Sequence, residues 1–414
     1  MAWSPRRAEH ELGMPADLAS QAASARLGVH RQTIWLVRHK KRIHGLVFSH
    51  FHLSSYHLFI STGEDRIAAG QSIRTNQTIT SSNDNFALGF FSPGNSTKRY
   101  VGIWYNKIPD QTVIWVANKE NPLTNSTAGV LTITHDGNLV VLEGDCNILW
   151  SSNVSISVGN NTIAVLTDTG NLVLRQTDQT IIWQSFDNPS SSLLPGMRLS
   201  LNTQTGKNIL LTSWKDVNDP ATGSYALGID PHTPRQLIIF SRMGVYMRDG
   251  VWQKVAIASQ PEVNRIYVGY VSVVETDDEI SIWVTLSDNS FMVRYLLTPT
   301  GLFQLQSWKE DSKAWAILQS SPTNECDLYS PCGPFASCDN SSSPLICKCL
   351  KGFEPRIRND WDSGNWSGGC VRQKALVCQS NDGFFKLARM KLPDFSISAG
   401  NVSVRDCELG CLRN

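Results

Sequence analysis

The chain has 414 residues, a formal net charge of +1 and only 18% charged residues. Its 37 basic residues are balanced by 36 acidic ones, so it lacks the excess of positive charge that binding to nucleic acid phosphates requires. Hydrophobic residues make up 41% of the chain, which excludes a disordered protein and suffices for more than one core. No apolar run reaches about 18 residues, so we predict no membrane span.

Residues 1–64 have the charge pattern of a weak signal region. Five basic residues at 38–42 precede an apolar stretch, 46–60, that polar residues interrupt. We interpret residues 1–64 as an atypical leader or signal region. Three of its seven histidines interrupt the apolar stretch, and we assign no metal site to them: His50, His52 and His57.

From residue 65 onward, short apolar runs alternate with Asn, Gly, Ser and Pro, a pattern that predicts β-strands joined by turns. A repeat is visible within residues 65–190. The sequence GNLV at 137–140 recurs 33 residues later at 170–173, and Trp150 recurs at the same offset as Trp183.

A third, more diverged copy precedes these two. Gly102 stands 13 residues before Trp115, the spacing that separates Gly137 from Trp150. Three copies of a small all-β unit predict a pseudo-threefold β-prism, because no single sheet can bury its apolar face alone. We expect the three tryptophans to meet near its axis, where each buries about 200 Å² without any ligand.

The repeat resembles the bulb-type mannose-binding lectin domain, whose sugar-site motif is Q-x-D-x-N-x-V-x-Y. A neutral sugar offers hydroxyl groups, which a carboxylate and side-chain amides recognise by hydrogen bonds. One copy keeps the Asp, Asn and Val of the motif and loses its Gln and Tyr: Thr134, Asp136, Asn138, Val140 and Leu142.

The next copy departs further from the motif, with Thr167, Thr169, Asn171, Val173 and Arg175 at the five positions. By the same alignment, the first copy has Ile103 in place of Asn. The resemblance implies these carbohydrate-binding residues: Thr134, Asp136, Asn138, Val140 and Asn171. The alternative interpretation, which the missing polar groups favour, is that the glycines mark turns and that Asn138 and Asn171 cap backbone groups.

The resemblance extends beyond the repeat. Four segments resemble, in order, the ectodomain of plant S-domain (G-type lectin) receptor-like kinases and S-locus glycoproteins: NFALGFFSPGNSTKRYVGIWYNKIP, TVIWVANKENPL, WQSFDNPSSSLLPGM and LTSWKDVNDPATGSYALGID. The similarity covers residues 65–414. It implies an S-locus glycoprotein domain over residues 191–320, where runs such as LIIFS and EISIWVTL predict further strands. Its tryptophans are interpreted as core residues without a site: Trp214, Trp252, Trp283 and Trp308.

The cysteines mark a boundary, because Cys146 stands alone before residue 326 and the other nine lie within 326–411. A cysteine-dense segment of this kind is typical of disulfide modules formed in an oxidising compartment. We interpret Cys146 as a small buried strand residue.

Eight possible N-glycosylation sites also favour a secreted protein or the extracellular face of the plasma membrane: Asn76, Asn95, Asn125, Asn153, Asn160, Asn340, Asn365 and Asn401.

Residues 321–372 resemble an EGF-like module. Six cysteines follow the spacing C-x5-C-x5-C-x8-C-x-C-x20-C, which by itself permits several pairings. The resemblance implies the pairs Cys326–Cys338, Cys332–Cys347 and Cys349–Cys370. The lead-in lacks the acidic run of a calcium-binding module and no histidine is nearby for zinc, so we expect no metal and no cofactor.

Residues 373–414 resemble the opening of a PAN/apple module. They contain Cys378, Cys407 and Cys411, and three cysteines cannot all pair with one another. The resemblance therefore implies an unfinished module, and we expect a truncation before the transmembrane helix and the kinase.

An enzyme is the less favoured class. Only His135 and His232 are available for acid–base catalysis beyond the leader. The segment 204–208 is not a phosphate loop, because Leu201 replaces the first glycine of that motif and Asn208 replaces its Ser or Thr. Asp277, Asp278 and Glu279 offer carboxylates for a glycosidase, but a run of this kind usually forms a solvated turn.

We therefore expect an extracellular recognition protein that binds either a mannose-type glycan or a small protein or peptide, with a role in cell-surface signalling such as pollen recognition or defence. The alternatives are a soluble mannose-binding lectin and a secreted, S-locus-glycoprotein-like modulator of intact receptors. The resemblance also implies that homodimers, or heterodimers with receptor ectodomains, are possible.

Overall fold

The computed structural model describes residues 60–61, 64–124, 128–155, 162–232, 236–249, 252–253, 256–257, 270–286, 291–340, 346–375, 384–385, 387 and 402–413. Most of the expected leader, including His50, His52 and His57, lies outside the described residues. The described part is almost entirely β-structure, so the predicted all-β class is confirmed.

The first β region contains three sheets. Its strands are β1 (Ile60–Ser61), β2 (Arg66–Ala68), β3 (Ser72–Arg74), β4 (Gln77–Thr80), β5 (Phe86–Phe91), β6 (Tyr100–Tyr105), β7 (Val113–Val116), β8 (Gly129–Ile133), β9 (Leu139–Glu143), β10 (Asn147–Ser151), β11 (Thr162–Leu166), β12 (Leu172–Gln176) and β13 (Ile181–Gln184).

Each sheet is built around one copy of the repeat. The meanders β5–β6–β7, β8–β9–β10 and β11–β12–β13 are completed by β4, β3 and β2 respectively, and β1 extends the first sheet. The N-terminal segment thus supplies one further strand to every copy. Because β2, β3 and β4 are consecutive in the sequence, this segment connects the three sheets.

The structure corrects our alignment of the first copy. Trp115, Trp150 and Trp183 pair with Ile103, Val141 and Leu174 on the middle strands. Asn138 and Asn171 lie three residues before these partners, so their counterpart is Tyr100, and the assignment of Ile103 to the Asn position was wrong. Gly102 lies within β6 opposite Gly89 and matches no turn glycine. An added Cβ there would lie 2.8 Å from the Trp115 carbonyl oxygen, so the position requires glycine for close strand packing.

The three tryptophans meet as the sequence predicts. The ring centroids of Trp115 and Trp150 are 5.8 Å apart, those of Trp115 and Trp183 5.8 Å, and those of Trp150 and Trp183 5.5 Å, all edge to face. This geometry sets the positive ring edge against the negative ring face. The Trp115 indole nitrogen also donates to the Asn188 carbonyl oxygen at 2.8 Å.

The second β region contains the strands β14 (Ser192–Leu193), β15 (Arg198–Asn202), β16 (Leu211–Asp216), β17 (Asp219–Ile229), β18 (Leu237–Ser241), β19 (Gly244–Arg248), β20 (Trp252–Gln253), β21 (Ala256–Ile257), β22 (Tyr270–Glu275), β23 (Glu279–Thr285), β24 (Val293–Leu297), β25 (Phe303–Lys309) and β26 (Ala314–Ser321). They form the sheets β14–β24–β25–β26, β15–β23–β22 and β16–β17–β18–β19, with the small pair β20–β21.

The two β regions share one continuous hydrophobic core. Tyr105 of β6 donates its hydroxyl to the Val293 carbonyl oxygen at 3.2 Å, and the Trp315 indole donates to the Thr112 hydroxyl at 3.0 Å. The rings of Tyr105 and Trp315 lie 5.4 Å apart. Burial raises the pKa of Tyr105, so its phenol remains a neutral hydrogen-bond donor in this contact.

The C-terminal part contains β27 (Ala336–Asp339), β28 (Ile346–Cys349), β29 (Phe353–Pro355), α1 (Arg358–Asp362), β30 (Cys370–Arg372) and α2 (Val404–Arg413). Disulfides join Cys326 to Cys338, Cys332 to Cys347 and Cys349 to Cys370, the same pairs that the EGF-like resemblance implies. These covalent links hold a segment whose two sheets have only two strands each.

Two other cysteines are exposed thiols. Cys146 lies in the turn between β9 and β10, so its interpretation as a buried strand residue was wrong, and Cys407 lies on α2. Cys378 is outside the described residues.

Five of the sequon asparagines are exposed: Asn76, Asn95, Asn153, Asn340 and Asn365. The other three lie outside the described residues: Asn125, Asn160 and Asn401.

Substituting Trp115 tests the tryptophan cluster. We expect Trp115→Ala to lower the free energy of unfolding by about 3–5 kcal/mol, because it removes a buried ring and leaves a cavity beside the half-buried rings of Trp150 and Trp183. Urea denaturation followed by circular dichroism measures the change. The control is Ile148→Ala, because the Ile148 side chain on β10 is 58% exposed. Equal stability of the two variants would contradict a packing role for the cluster.

Candidate functional site

The turn between β8 and β9 brings three of the candidate site residues together. Thr134 N donates to the Asn138 carbonyl oxygen at 2.9 Å, and Gly137 closes the turn in the left-handed region at φ 83°. The exposed Asp136 carboxylate accepts hydrogen bonds from the Thr134 hydroxyl, from Asn138 N and, at 3.0 Å, from Asn138 Nδ2. Thr134, Asp136 and Asn138 therefore form one connected group on this turn.

The Asn138 carboxamide is fully engaged within the protein. Its Oδ1 accepts from Ser152 Oγ at 3.0 Å and from Val154 N at 2.7 Å. Its Nδ2 donates to the Val154 carbonyl oxygen at 3.2 Å as well as to Asp136. Two acceptor and two donor positions are thus filled, and the side chain is only 8% exposed. Asn138 therefore connects the residues that follow β10 to the β8–β9 turn by hydrogen bonds, and we call this connection an asparagine clamp.

Asn171 makes the same kind of connection in the next copy. Its Oδ1 accepts from Ser185 Oγ at 3.1 Å and from Phe186 N at 3.2 Å, while Nδ2 donates to Gln184 Oε1 at 2.8 Å. Thr169 replaces the aspartate and shares a hydrogen bond with the Thr167 hydroxyl. This copy therefore has an asparagine clamp but no carboxylate at the position equivalent to Asp136.

The first copy achieves a related connection with a different residue. Tyr100 occupies the equivalent position and is 1% exposed. Asn118, which follows β7, instead accepts from Val101 N at 2.8 Å and donates to the Asn121 carbonyl oxygen at 2.9 Å.

Sequence reasoning missed the partners of these clamps. Ser152 and Ser185 each stand two residues after a repeat tryptophan, and their hydroxyls hold Asn138 and Asn171. That shared spacing is the signal that identifies them. Asn118 has no such signal, because Ala117 occupies the corresponding position in the first copy.

The valines of the motif are buried. Val140 is 2% exposed and Val173 is 7% exposed, so neither presents a surface on which a ligand can rest in this conformation. The exposed polar atoms of the region belong chiefly to Asp136. Its pKa lies below the ordinary aspartate value, first because the Thr134 hydroxyl donates to the carboxylate and then because Asn138 does. Asp136 therefore remains a charged hydrogen-bond acceptor at neutral pH.

The carboxylates considered for a glycosidase lie in or beside a surface turn. Asp277 and Asp278 lie exposed in the β22–β23 turn, where their backbone carbonyls accept bonds from Thr203. Within the described ranges, no group of three or more His, Cys, Asp and Glu side chains is placed to hold a metal ion. Neither of the helices in the described part combines the length and hydropathy of a membrane span.

Comparison with protein families defines the class of the chain. Residues 112–215 match the D-mannose binding lectin family, residues 247–357 the S-locus glycoprotein domain, and residues 378–414 the PAN-like domain. The chain therefore contains lectin, S-locus glycoprotein and PAN-like domains in that order.

The chain is also similar in sequence to receptor-like kinases of Arabidopsis thaliana. The chain is 38% identical over 373 residues to the G-type lectin S-receptor-like serine/threonine-protein kinase At1g11300 of Arabidopsis thaliana, covering 87% of this chain and 45% of the relative. It is 38% identical over 358 residues to RKS1, a kinase of the same description and organism, covering 84% of this chain and 43% of that relative. The chain thus spans less than half the length of these relatives.

Solved lectin structures match the chain over a smaller part. A monomeric mannose-binding lectin from Gastrodia elata is 20% identical with a TM-score of 0.23, covering 30% of this chain and 96% of the lectin. A lectin from Marasmius oreades is 13% identical with a TM-score of 0.24, covering 31% of this chain and 94% of the lectin.

The two polar residues of the turn are expected to differ in their effect on stability. Asn138→Ala leaves buried groups on Ser152 and Val154 without a partner, so we expect it to lower the free energy of unfolding by about 2–4 kcal/mol. Asp136→Ala removes an exposed group and should cost about 1 kcal/mol or less. Urea denaturation of both variants measures this difference, and a larger loss for Asp136→Ala would argue against the clamp.

The turn should also respond to acid. Because the folded-state pKa of Asp136 is lowered, its contribution to stability is present above the unfolded-state pKa and is lost as the pH falls through the folded-state value, that is, below about 4. A carboxyl NMR titration should give Asp136 a lower pKa in the wild type than in Thr134→Val, which removes the first donor. Equal values in the two proteins would contradict this cause.

Proposed function

We propose that this chain is the ligand-recognition part of an S-domain receptor, acting at the cell surface or as a secreted protein. One observation carries this proposal: the order of lectin, S-locus glycoprotein and PAN-like domains, with 38% identity across 87% of the chain to a receptor-like kinase. The aligned residues comprise extracellular-type domains, so binding, rather than catalysis, is the activity that we assign to them.

We further propose that the ligand is a protein or peptide and that the lectin fold serves as its scaffold. All four hydrogen-bonding positions of the Asn138 carboxamide are filled within the protein, and three of the four positions of the Asn171 carboxamide are filled in the same way. Val140 and Val173 are buried. A shallow sugar site depends on almost every such group reaching the ligand. These contacts support a structural role for the residues that the lectin motif would use.

A mannose-type glycan is the second candidate ligand, which the match to the D-mannose binding lectin family and the geometry of Asp136 favour. Asp136 is exposed, and three bonds from Thr134 and Asn138 hold its carboxylate in place. A sugar hydroxyl donates well to a charged acceptor of this kind. In this candidate role, Asp136 contacts the sugar, Thr134 positions its carboxylate, and Val140 and Asn171 support the fold.

The domain boundaries belong to the same proposal. We assign residues 65–190 to the lectin domain, 191–320 to the S-locus glycoprotein domain, 321–372 to the EGF-like module and 373–414 to the PAN-type segment. The disulfide-linked segment and the five exposed sequon asparagines support an oxidising, extracellular location. Pairing with a second ectodomain is the proposed route by which binding is transmitted.

Binding of the secreted 414-residue chain to mannose-terminated glycans distinguishes the two ligands. If the ligand is a protein, we expect no saturable glycan binding by correctly folded chain. If the ligand is a glycan, binding should be saturable, and Asp136→Ala should reduce it at least about tenfold. Asp178→Ala is the matched control, because Asp178 is an exposed turn aspartate in the next copy and lies outside the motif.

A receptor role is tested separately by co-expression with an intact relative. We expect the chain to be recovered with the ectodomain of a G-type lectin S-receptor-like kinase and to change the phosphorylation of that kinase. If the chain neither associates with any such ectodomain nor alters kinase output, the receptor-related role is wrong, whatever the outcome of the glycan experiment.

A further inference from the structure

A cavity of about 450 Å³ lies where the first sheet meets the second β region. Its walls come from the end of β5, the segment before β7, and from β16 and β24. Cavities of a few hundred Å³ are of the size that binds small organic molecules. All the residues that line this cavity are described, and none belongs to the Asp136 turn.

Arg294 is the one cation among the residues that line this cavity. Its guanidinium carbon lies 4.7 Å from the centroid of the Trp315 ring, and its Nε donates to Gln306 Oε1 at 3.0 Å. These two contacts fix the plane of the guanidinium group. An arginine has five N–H donors, and within the described ranges the terminal nitrogens of Arg294 have no partner.

The charge of Arg294 also has no counter-ion among the described residues. No carboxylate of the described residues lies within ion-pair distance of it, although the exposed Asp110 lines the same cavity. Burial lowers the pKa of Arg294 to about 10, and the Tyr105 hydroxyl is the titratable group that opposes this shift. A half-buried cation with no anion among the described residues carries a desolvation cost that a bound anion offsets.

The remaining walls are largely apolar. The half-buried side chains of Val113, Trp214 and Leu296 supply hydrophobic surface to the cavity. A ligand that fills this space therefore needs an apolar body as well as an acceptor group. One guanidinium matches one carboxylate, since its planar donors pair with the two oxygens of that group.

We propose that this cavity binds a small organic carboxylate, whose carboxylate group accepts hydrogen bonds from the terminal nitrogens of Arg294 and whose apolar body packs against Val113, Trp214 and Leu296. This inference goes beyond the proposed receptor function. It concerns a different surface from the Asp136 turn, so it does not depend on the result of the glycan experiment.

Titration calorimetry of the full chain with matched acids and amides tests the proposal. The probes are phenylacetate with phenylacetamide and hexanoate with hexanamide, which differ in charge but closely match in shape. We expect at least one acid to bind saturably and its amide to bind at least about tenfold more weakly. Equal binding of acid and amide, or no saturable binding of either acid, would overturn the proposal. This comparison uses only the wild-type protein.

Variants then locate the site. Arg294→Gln should weaken binding of the acid at least about tenfold while leaving the amide unchanged. The matched control is Arg198→Gln, because the Arg198 guanidinium carbon lies 5.1 Å from the Trp283 ring outside this cavity. Unchanged acid binding by folded Arg294→Gln, or an equal loss in Arg198→Gln, would show that Arg294 is not the anchor.

Discussion

Three tryptophan rings meet edge to face on the axis of the first β region, and the arrangement of its sheets depends on that contact. Each ring comes from the last strand of one meander, so the contact fixes all three meanders at once. Trp115 also donates to the Asn188 carbonyl oxygen, in the segment that connects β13 to β14. The cluster therefore orders the repeat and attaches it to the chain that follows.

The asparagine clamps extend the effect of this cluster to the edges of the sheets. Asn138 and Asn171 each hold the residues that follow a tryptophan strand, so the end of one strand is tied to the turn before the middle strand. These are the positions at which a lectin motif would present polar groups to a sugar. Asn138 cannot make both sets of bonds at once, so a glycan contact at this turn depends on Asp136.

Packing of the second β region against the first creates features that neither region has alone. Tyr105 and Thr112 from the repeat bind Val293 and Trp315 from the second region, and both regions contribute to one core. Arg294 lies beside these contacts, stacked on Trp315 and in the wall of the shared cavity. The most distinctive binding chemistry of the described residues thus arises at this junction.

The sequence by itself determined the all-β class, the repeat and the meeting of its tryptophans, because strand periodicity and repeat spacing are local patterns that survive in a single chain. It did not determine the register of the diverged copy, since Gly102 imitates the spacing of a turn glycine while lying within β6. Likewise, Cys146 follows a strand pattern but lies in a turn. Only the tertiary structure decided that Val140 is buried and that Arg294 has no counter-ion among the described residues, because both depend on residues brought together from distant parts of the sequence.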